Sequence, residues 1–182
     1  MARYAGLATA LCADGPATDR AEKLNLYGWL VGSWHMDASV FSADGTKQSG
    51  RGEIHFGWVL DGRAIQDVWI LPGVFHVTTL RVYDPELDAW HILWSDPLRQ
   101  VYRRQIGRAR GVDIVQEGTD SSGAPVRWSF TDITHNSFRW TGERSEDGGK
   151  TFWLQAEFLV TRIPAGPDIS HGAAEPRPSV TR

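Results

Sequence analysis

The sequence has a single cysteine, no marked excess of charge and no long hydrophobic run. Cys12 alone excludes an intrachain disulfide framework and any multi-cysteine metal site. A membrane-spanning helix needs about 20 apolar residues, and no stretch of this chain approaches that length. Residues 1–13 have only a faint likeness to a secretory signal, because the apolar run is short and the bulky Leu11 precedes Cys12. We therefore expect a soluble cytoplasmic protein with no membrane partner.

A concentrated basic surface is also lacking. The chain has 19 Lys and Arg against 22 Asp and Glu, a formal net charge of -3, and its basic residues are scattered. A nucleic-acid surface would gather Lys and Arg into one patch, so we expect no nucleic-acid partner. The sequence contains no phosphate loop, dinucleotide fingerprint or nucleophile elbow. The familiar motifs of several large enzyme classes are therefore missing.

Tryptophan is the residue type in excess. The 182 residues include nine Trp, together with four Tyr and seven Phe. Trp is large and seldom packs fully into a small core. Nine of them in one domain indicate either a very aromatic core or a cavity walled by rings.

The chain divides into an arm, one domain and a tail. Residues 1–20 show no hydrophobic period and are expected to be a flexible arm. Residues 21–163 form the predicted domain, which opens with a short helix at 21–31. Residues 164–182 are rich in Pro, Gly, Ala and Ser and are expected to be a disordered tail.

Within the domain, segments of alternating polarity follow one another with short turns rich in Gly and Asp. The predicted strands are 33–41, 50–60, 64–71, 74–83, 89–95, 101–108, 112–116, 126–134, 138–145 and 151–162. No long helix separates them, which excludes a parallel α/β sheet. An antiparallel meander of about ten strands closes most simply into an up-and-down β-barrel with room inside for one ligand.

Several stretches in a fixed order resemble the calycin superfamily of lipocalin-like barrels. They are Leu30-Val31-Gly32-Ser33-Trp34, 52–56, 60–69, 79–85 and 90–94. Together they resemble bacterial lipocalin-like proteins of the DUF1579-type group over residues 26–162. The resemblance implies a barrel whose interior binds a ligand, with Trp34 plugging the closed end, and it implies no defined reaction.

The nitrobindins and the fatty-acid-binding proteins are more distant relatives in this resemblance. Nitrobindins hold haem through a histidine near the chain end, whereas the last predicted strand has no histidine and His171 lies in the predicted tail. The haem ligand of that family is therefore missing, and we predict no cofactor.

The candidate ligand-binding residues are aromatic and charged residues inside strands. Mid-strand Trp side chains either wall the cavity, where ring stacking adds about 0.5–1.5 kcal/mol beyond area burial, or belong to the packed core or the outer surface. The candidates are Trp58, Asp67, Trp69, Arg81, Trp94, Trp128 and Trp140.

Asp67 shares a strand face with Trp69, and Arg81 lies on the next predicted strand. A buried carboxylate or guanidinium must be paired, so an interior Asp67–Arg81 pair would satisfy both groups and could orient a ligand carboxylate or phenol. Arg81 could equally point outward, where an ion pair contributes little.

Four histidines fall on predicted strands, and no two share the i, i+2 spacing that places two ligands on one strand face. We therefore predict no metal site. His35 and His55 alternate with the apolar residues of their strands and are expected outside. His76 or His91 could act as a general acid or base beside Asp67, with Arg81 stabilising negative charge, if the protein is an enzyme.

Three functions remain open at this point. The first is binding of a small hydrophobic or aromatic molecule inside the barrel. The second is an enzyme that isomerises, cyclises or hydrolyses such a molecule in the same cavity. The third is an interaction module whose barrel is fully packed, and in each case an outward aromatic patch could support a homodimer.

Overall fold

The alternating segments form a continuous antiparallel meander in the computed structural model, which describes residues 6–164. Side chains of alternating residues point to opposite faces, so each strand buries one face in the barrel and exposes the other. The ten long strands are β2 Gly32–Phe41, β3 Lys47–Val59, β4 Ala64–Leu71, β5 Phe75–Asp84, β6 Ala89–Asp96, β7 Val101–Arg110, β8 Asp113–Thr119, β9 Pro125–Thr131, β10 Ser137–Arg144 and β11 Trp153–Arg162.

These ten strands close into a barrel. Each pairs with the next along the chain, and β11 returns to pair with β2, with Val160 opposite Met36. Closure satisfies the backbone hydrogen bonds that an open sheet of this width would leave exposed at its edges. The predicted antiparallel up-and-down barrel of about ten strands is therefore confirmed.

The described part of the predicted arm has secondary structure. Helix α1 (Leu7–Leu11) leads into the two-residue strand β1 (Cys12–Ala13), which pairs with Trp58 and Val59 of β3. Because β2 begins at Gly32 opposite Phe56, β1 covers the end of β3 that β2 does not reach. The short strand thereby extends the sheet at one end of the barrel.

The arm also packs on the turn between β3 and β4. The backbone N–H of Ala17 donates to the carbonyl of Gly62 at 3.0 Å. Gly62 has φ 73°, and a Cβ there would lie 2.2 Å from the carbonyl oxygen of Gly15. Only glycine fits this close approach at a positive φ. The predicted tail, apart from Pro164, lies outside the described residues.

A short helix seals one end of the barrel, called here the closed end. Helix α2 (Ala21–Gly28), preceded by a 3₁₀ turn at Thr18–Arg20, buries Leu24 and Tyr27 against the strands. It ends at Gly28, three residues earlier than predicted, because the chain turns there into β2. The opposite end, where β2, β4 and β6 finish, is called the open end.

Trp34 fills the closed end as predicted. It is completely buried, and its indole N–H donates to the carbonyl of Leu30 at 2.7 Å. The guanidinium of Arg162 lies 3.9 Å from the Trp34 ring centre and donates to the carbonyl oxygens of Val31 and Trp29. The last strand is thereby fastened to the segment between α2 and β2. Among the described residues, no helix combines the length and apolar character needed to cross a membrane.

Candidate functional site

The open half of the barrel encloses a cavity of about 460 Å³ that is partly open to solvent. Its lining includes Phe41 at the end of β2, Val74 after β4 and Arg99 after β6, which places it at the end opposite α2. Small-molecule sites in proteins usually occupy about 300–1,000 Å³. The cavity is therefore large enough for a small organic molecule.

Aromatic rings form a continuous wall around this cavity. Trp140 stacks on Phe158 with ring centres 4.8 Å apart and planes 16° from parallel. Trp128 and Trp69 approach Trp140 at 5.6 Å and 5.5 Å, and Trp94 approaches Trp128 at 5.7 Å. These distances lie in the range of favourable aromatic pairs, so the rings hold one another in place.

Gly142 makes room for two of the rings. It lies opposite Trp128 in the β9–β10 pair and two residues after Trp140. A Cβ at this position would lie 2.8 Å from Cη2 of Trp140 and 3.5 Å from Cδ1 of Trp128. A larger residue would displace the Trp140 ring, so the shape of the aromatic wall depends on this glycine.

Below the rings, Asp67 and Arg81 form the predicted interior ion pair. Each residue is 1% exposed, and Nη1 of Arg81 donates to Oδ2 of Asp67. The backbone N–H of Thr79 donates to Oδ1 of Asp67 at 2.8 Å. Both carboxylate oxygens of Asp67 are therefore engaged, as a buried carboxylate requires.

The guanidinium of Arg81 forms the floor of the cavity. It lies 5.4–5.8 Å from the ring centres of Tyr27, Phe56 and Phe130, within the range of cation–π attraction. Its Nε is buried and has no hydrogen-bond partner among the described residues. Arg81 thus separates the cavity from the packed closed end.

The side chain of Tyr27 extends from helix α2 to the floor. Burial raises the pKa of its phenol to about 12, and its oxygen accepts a hydrogen bond from Nε2 of Gln116 at 3.0 Å. A Cβ at Gly107 would lie 2.3 Å from the phenol oxygen, so glycine is needed beside it. The phenol is therefore fixed as a neutral group at physiological pH.

An ion pair at the open end joins two of its turns. Nη1 of Arg99 donates to Asp96 at 2.9 Å, and Nη2 donates to the carbonyl of Val74 at 2.7 Å. Burial raises the pKa of Asp96, but hydrogen bonds from Arg99 and from backbone N–H groups outweigh it and leave the pKa below its ordinary value. The turn after β6 is thereby tied to the turn after β4 beside the cavity.

Arg103 is the third arginine of the lining. Its guanidinium carbon lies 5.9 Å from the Trp94 ring centre, and burial lowers its pKa. Its Nη1 is buried without a hydrogen-bond partner among the described residues, and so is the indole N–H of Trp69. Buried donors in proteins are nearly always paired, so these groups can donate to a polar group that enters the cavity.

The structure distributes the seven predicted ligand-binding residues between three places. Those lining the cavity are Trp69, Arg81, Trp94, Trp128 and Trp140. Asp67 lies behind Arg81, and Trp58 packs near the closed end, where a Cβ on Gly28 would lie 3.1 Å from its ring. Whether the lining residues bind a ligand remains a prediction.

The two candidate histidines lie on the outer face. His76 is exposed and alternates with the inward residues Val77 and Phe75. His91 bonds to Asp84 at 2.9 Å. Within residues 6–164, no three His, Cys, Asp or Glu side chains gather as a group that could hold a metal.

Sequence reasoning missed Arg103, Asp96, Arg99 and Phe158 in the lining. One signal for Arg103 was available. Directly opposed residues of an antiparallel pair share a face, and Arg103 lies opposite Trp94. Counting outward from the turn at 97–100 with Trp94 placed inside would have assigned Arg103 to the interior.

The fold is shared with solved structures of low sequence identity. The crystal structure of Rv2717c from M. tuberculosis superposes with a TM-score of 0.56 at 13% identity, covering 79% of this chain and 98% of that one. The S-type phycobiliprotein lyase CPES from Guillardia theta superposes with a TM-score of 0.57 at 12% identity, covering 83% and 100%. No protein-family model and no curated protein sequence matches this chain. The likeness therefore shows the barrel fold alone, and membership of the calycin superfamily and of its DUF1579-type group stays a prediction.

Proposed function

We propose that this protein binds a small hydrophobic or aromatic molecule inside the open half of its barrel. The observation that carries the proposal is the cavity of about 460 Å³ walled by Trp69, Trp94, Trp128 and Trp140. Protein interiors are close-packed, with few voids larger than a water molecule. A barrel that served only as a packed module would fill this volume with its own side chains.

The character of the wall favours a flat apolar ligand. Indole faces offer large contact areas at little entropic cost, and stacking adds to the area that they bury. The few polar groups in the lining, among them Thr79 and Arg103, would fix the orientation of the ligand. One fold neighbour is named as a phycobiliprotein lyase, which is consistent with a barrel interior that accommodates a ligand.

The enzyme alternative finds no favourable observation in the described residues. A general base must reach the substrate, whereas Asp67 is 1% exposed, is not part of the cavity lining and is held by Arg81 and Thr79. His76 and His91 lie on the outer face of the barrel, away from the cavity. Binding without chemistry is therefore the function that we propose, together with the cytoplasmic location expected from the sequence; a homodimer through an outward aromatic patch stays an open alternative.

The test is a binding titration with a variant that fills the cavity. Val101 lines the cavity, and Tyr102 beside it is exposed on the outer face of β7. Isothermal titration calorimetry would measure the binding of 2-naphthol, 2-naphthoate, decanoate and haem to the wild type, Val101→Trp and Tyr102→Trp. We expect at least one probe to bind the wild type, with about tenfold or greater loss in Val101→Trp and less than about twofold change in Tyr102→Trp.

Two results would contradict the proposal. One is the absence of binding by all four probes together with native mass spectrometry showing no co-purified molecule. The other is binding that Val101→Trp leaves unchanged, because the bound molecule would then lie outside the cavity.

A further inference from the structure

The charges around the cavity do not balance. Three arginines line it, and two of them have carboxylate partners: Arg81 with Asp67, and Arg99 with Asp96. Arg103 forms no ion pair with any described residue. Within residues 6–164 the lining therefore carries one positive charge more than its own carboxylates neutralise.

The carboxylate that attracts Arg103 most, that of Asp120, already accepts hydrogen bonds from other residues. Asp120 attracts Arg103, but its Oδ2 accepts a hydrogen bond from Arg144 at 2.7 Å, and its Oδ1 accepts from Ser122. Arg144 itself repels Arg103. Arg144 also pairs with the exposed carboxylate of Glu146. Asp120 therefore attracts Arg103 from a distance, but the buried Nη1 of Arg103 still lacks a hydrogen-bond partner among the described residues.

One end of the Arg103 guanidinium lacks an acceptor. Arg103 is half-buried, burial lowers its pKa, and its Nη1 lies buried without a partner among the described residues. A buried donor without a partner is destabilising, and the carboxylate of an entering molecule would supply the missing acceptor. The Arg103 side chain lies over Trp94, so this carboxylate would sit directly beside the aromatic wall.

We propose that the ligand is a monoanion, an aromatic or alkyl carboxylic acid whose carboxylate binds Arg103. The planar guanidinium matches a carboxylate through two parallel hydrogen bonds, and one negative charge balances the lining. Arg81 is not the anchor, because Asp67 already neutralises it. This inference rests on the proposed function and adds the charge and position of the polar end of the ligand.

The experiment compares matched acids and amides. The probes are benzoate with benzamide, 2-naphthoate with 2-naphthamide, and decanoate with decanamide, each titrated by calorimetry at neutral pH. The proteins are the wild type, Arg103→Gln, Arg103→Lys and Arg104→Gln. Arg104 is the matched control, because it is the next residue along β7 and is exposed on the outer face.

The wild type and Arg104→Gln should bind at least one acid about tenfold or more tightly than its amide. Arg103→Gln should lose that preference while keeping its affinity for the amide within about twofold. Arg103→Lys should keep part of the preference, since it retains the charge without the planar fork. If Arg103→Gln fails to fold, the acid-to-amide ratio of the wild type alone still decides the charge preference.

Equal affinity for acid and amide in the wild type would overturn this inference and leave the proposed function standing. The same holds if Arg104→Gln removes the preference and Arg103→Gln does not. Absence of binding by every acid and every amide would contradict the proposed function itself.

Discussion

At the closed end of the barrel, the indole N–H groups of Trp29 and Trp34 donate to the carbonyl oxygens of Leu26 and Leu30. At the open end, the indole N–H of Trp69 has no partner among the described residues. The rings at the closed end meet mainly edge to face, as Trp29 and Trp34 do, whereas Trp140 and Phe158 in the open half stack nearly parallel. The two halves also differ in which buried polar groups lack a partner and in how much empty volume they contain.

This difference indicates a division of roles along the barrel axis. The closed end is packed, and Arg162 fastens the last strand over Trp34. The unpaired atom beside Tyr27 is an acceptor, Oε1 of Gln116. The open half has a cavity and three buried donors without partners, on Trp69, Arg81 and Arg103. Proteins depart from full packing and full hydrogen bonding chiefly at functional sites. We therefore assign stability mainly to the closed end, and the open half is where the proposed ligand would bind.

The largest effect on stability is expected from Trp34→Ala. The substitution leaves a large void at the closed end and removes the ring beneath Arg162, so we expect a loss of about 4 kcal/mol in the free energy of unfolding. Urea denaturation of the two proteins measures it. A loss below about 1 kcal/mol would show that the closed end is not the stabilising half.

The second largest loss of stability is expected from breaking the Asp67–Arg81 ion pair, which lies at the boundary between the two halves. Asp67→Asn leaves the completely buried guanidinium of Arg81 without its counter-charge, and we expect a loss of about 3 kcal/mol. The double variant Asp67→Leu with Arg81→Met removes both charges and should be more stable than Asp67→Asn. Urea denaturation midpoints test the order, and the reverse order would contradict the electrostatic account.

A smaller effect on stability and a larger one on binding are expected from Trp128→Ala. One side of this ring borders the cavity, so fewer packing contacts are lost, and we expect about 1–2 kcal/mol. Binding of 2-naphthol or 2-naphthoate should weaken by about tenfold or more. A loss of stability as large as that of Trp34→Ala, with binding unchanged, would reverse the assigned roles.

The smallest expected effect is on the loss of stability at low pH. Hydrogen bonds from Ser122 and then Arg144 hold the pKa of Asp120 at the open end far below its ordinary 3.8, despite opposing burial. The unfolded chain therefore takes up a proton as the pH falls through about 4, while the folded protein does not, so stability is present above that pH and declines below it. Asp120→Asn should reduce the difference in Tm between pH 6 and pH 3.

A carboxylate at the closed end provides the control for this prediction. Lys23 and Tyr83 lower the pKa of Asp88, but by less than the partners of Asp120 lower its pKa. Asp88→Asn should therefore reduce the pH dependence of Tm by less than Asp120→Asn does. An equal or larger reduction in Asp88→Asn would contradict the difference between the two ends.

The barrel and its closed end could be predicted because each depends on local patterns. Alternation of apolar and polar residues specifies strands, and Gly and Asp at the turns specify a meander. The same alternation placed Asp67 on the face of Trp69, with Arg81 on the next strand. The structure shows the predicted pair of Asp67 and Arg81. The short strand β1 was missed because two residues cannot show a period.

Position along the barrel axis could not be predicted. A period of two assigns a face but not a depth, so Trp58 was grouped with the cavity although it packs near α2. Arg103 was missed because, of its inward neighbours Val101, Gln105 and Gly107 on β7, only Val101 is apolar, so this face does not alternate clearly. The position of a residue along the barrel axis follows from how all the strands are staggered, which the closed structure shows.

The most direct test follows the indole N–H resonances of the nine tryptophans by nitrogen-15 NMR during titration with 2-naphthol or 2-naphthoate, whichever binds more tightly. A bound aromatic ring shifts the resonances of nearby protons, so each indole reports on its own part of the barrel. We predict large shifts for Trp69, Trp94, Trp128 and Trp140 and small shifts for Trp29 and Trp34. Shifts concentrated on Trp29 and Trp34, or no shifts at saturating probe, would contradict binding in the open half.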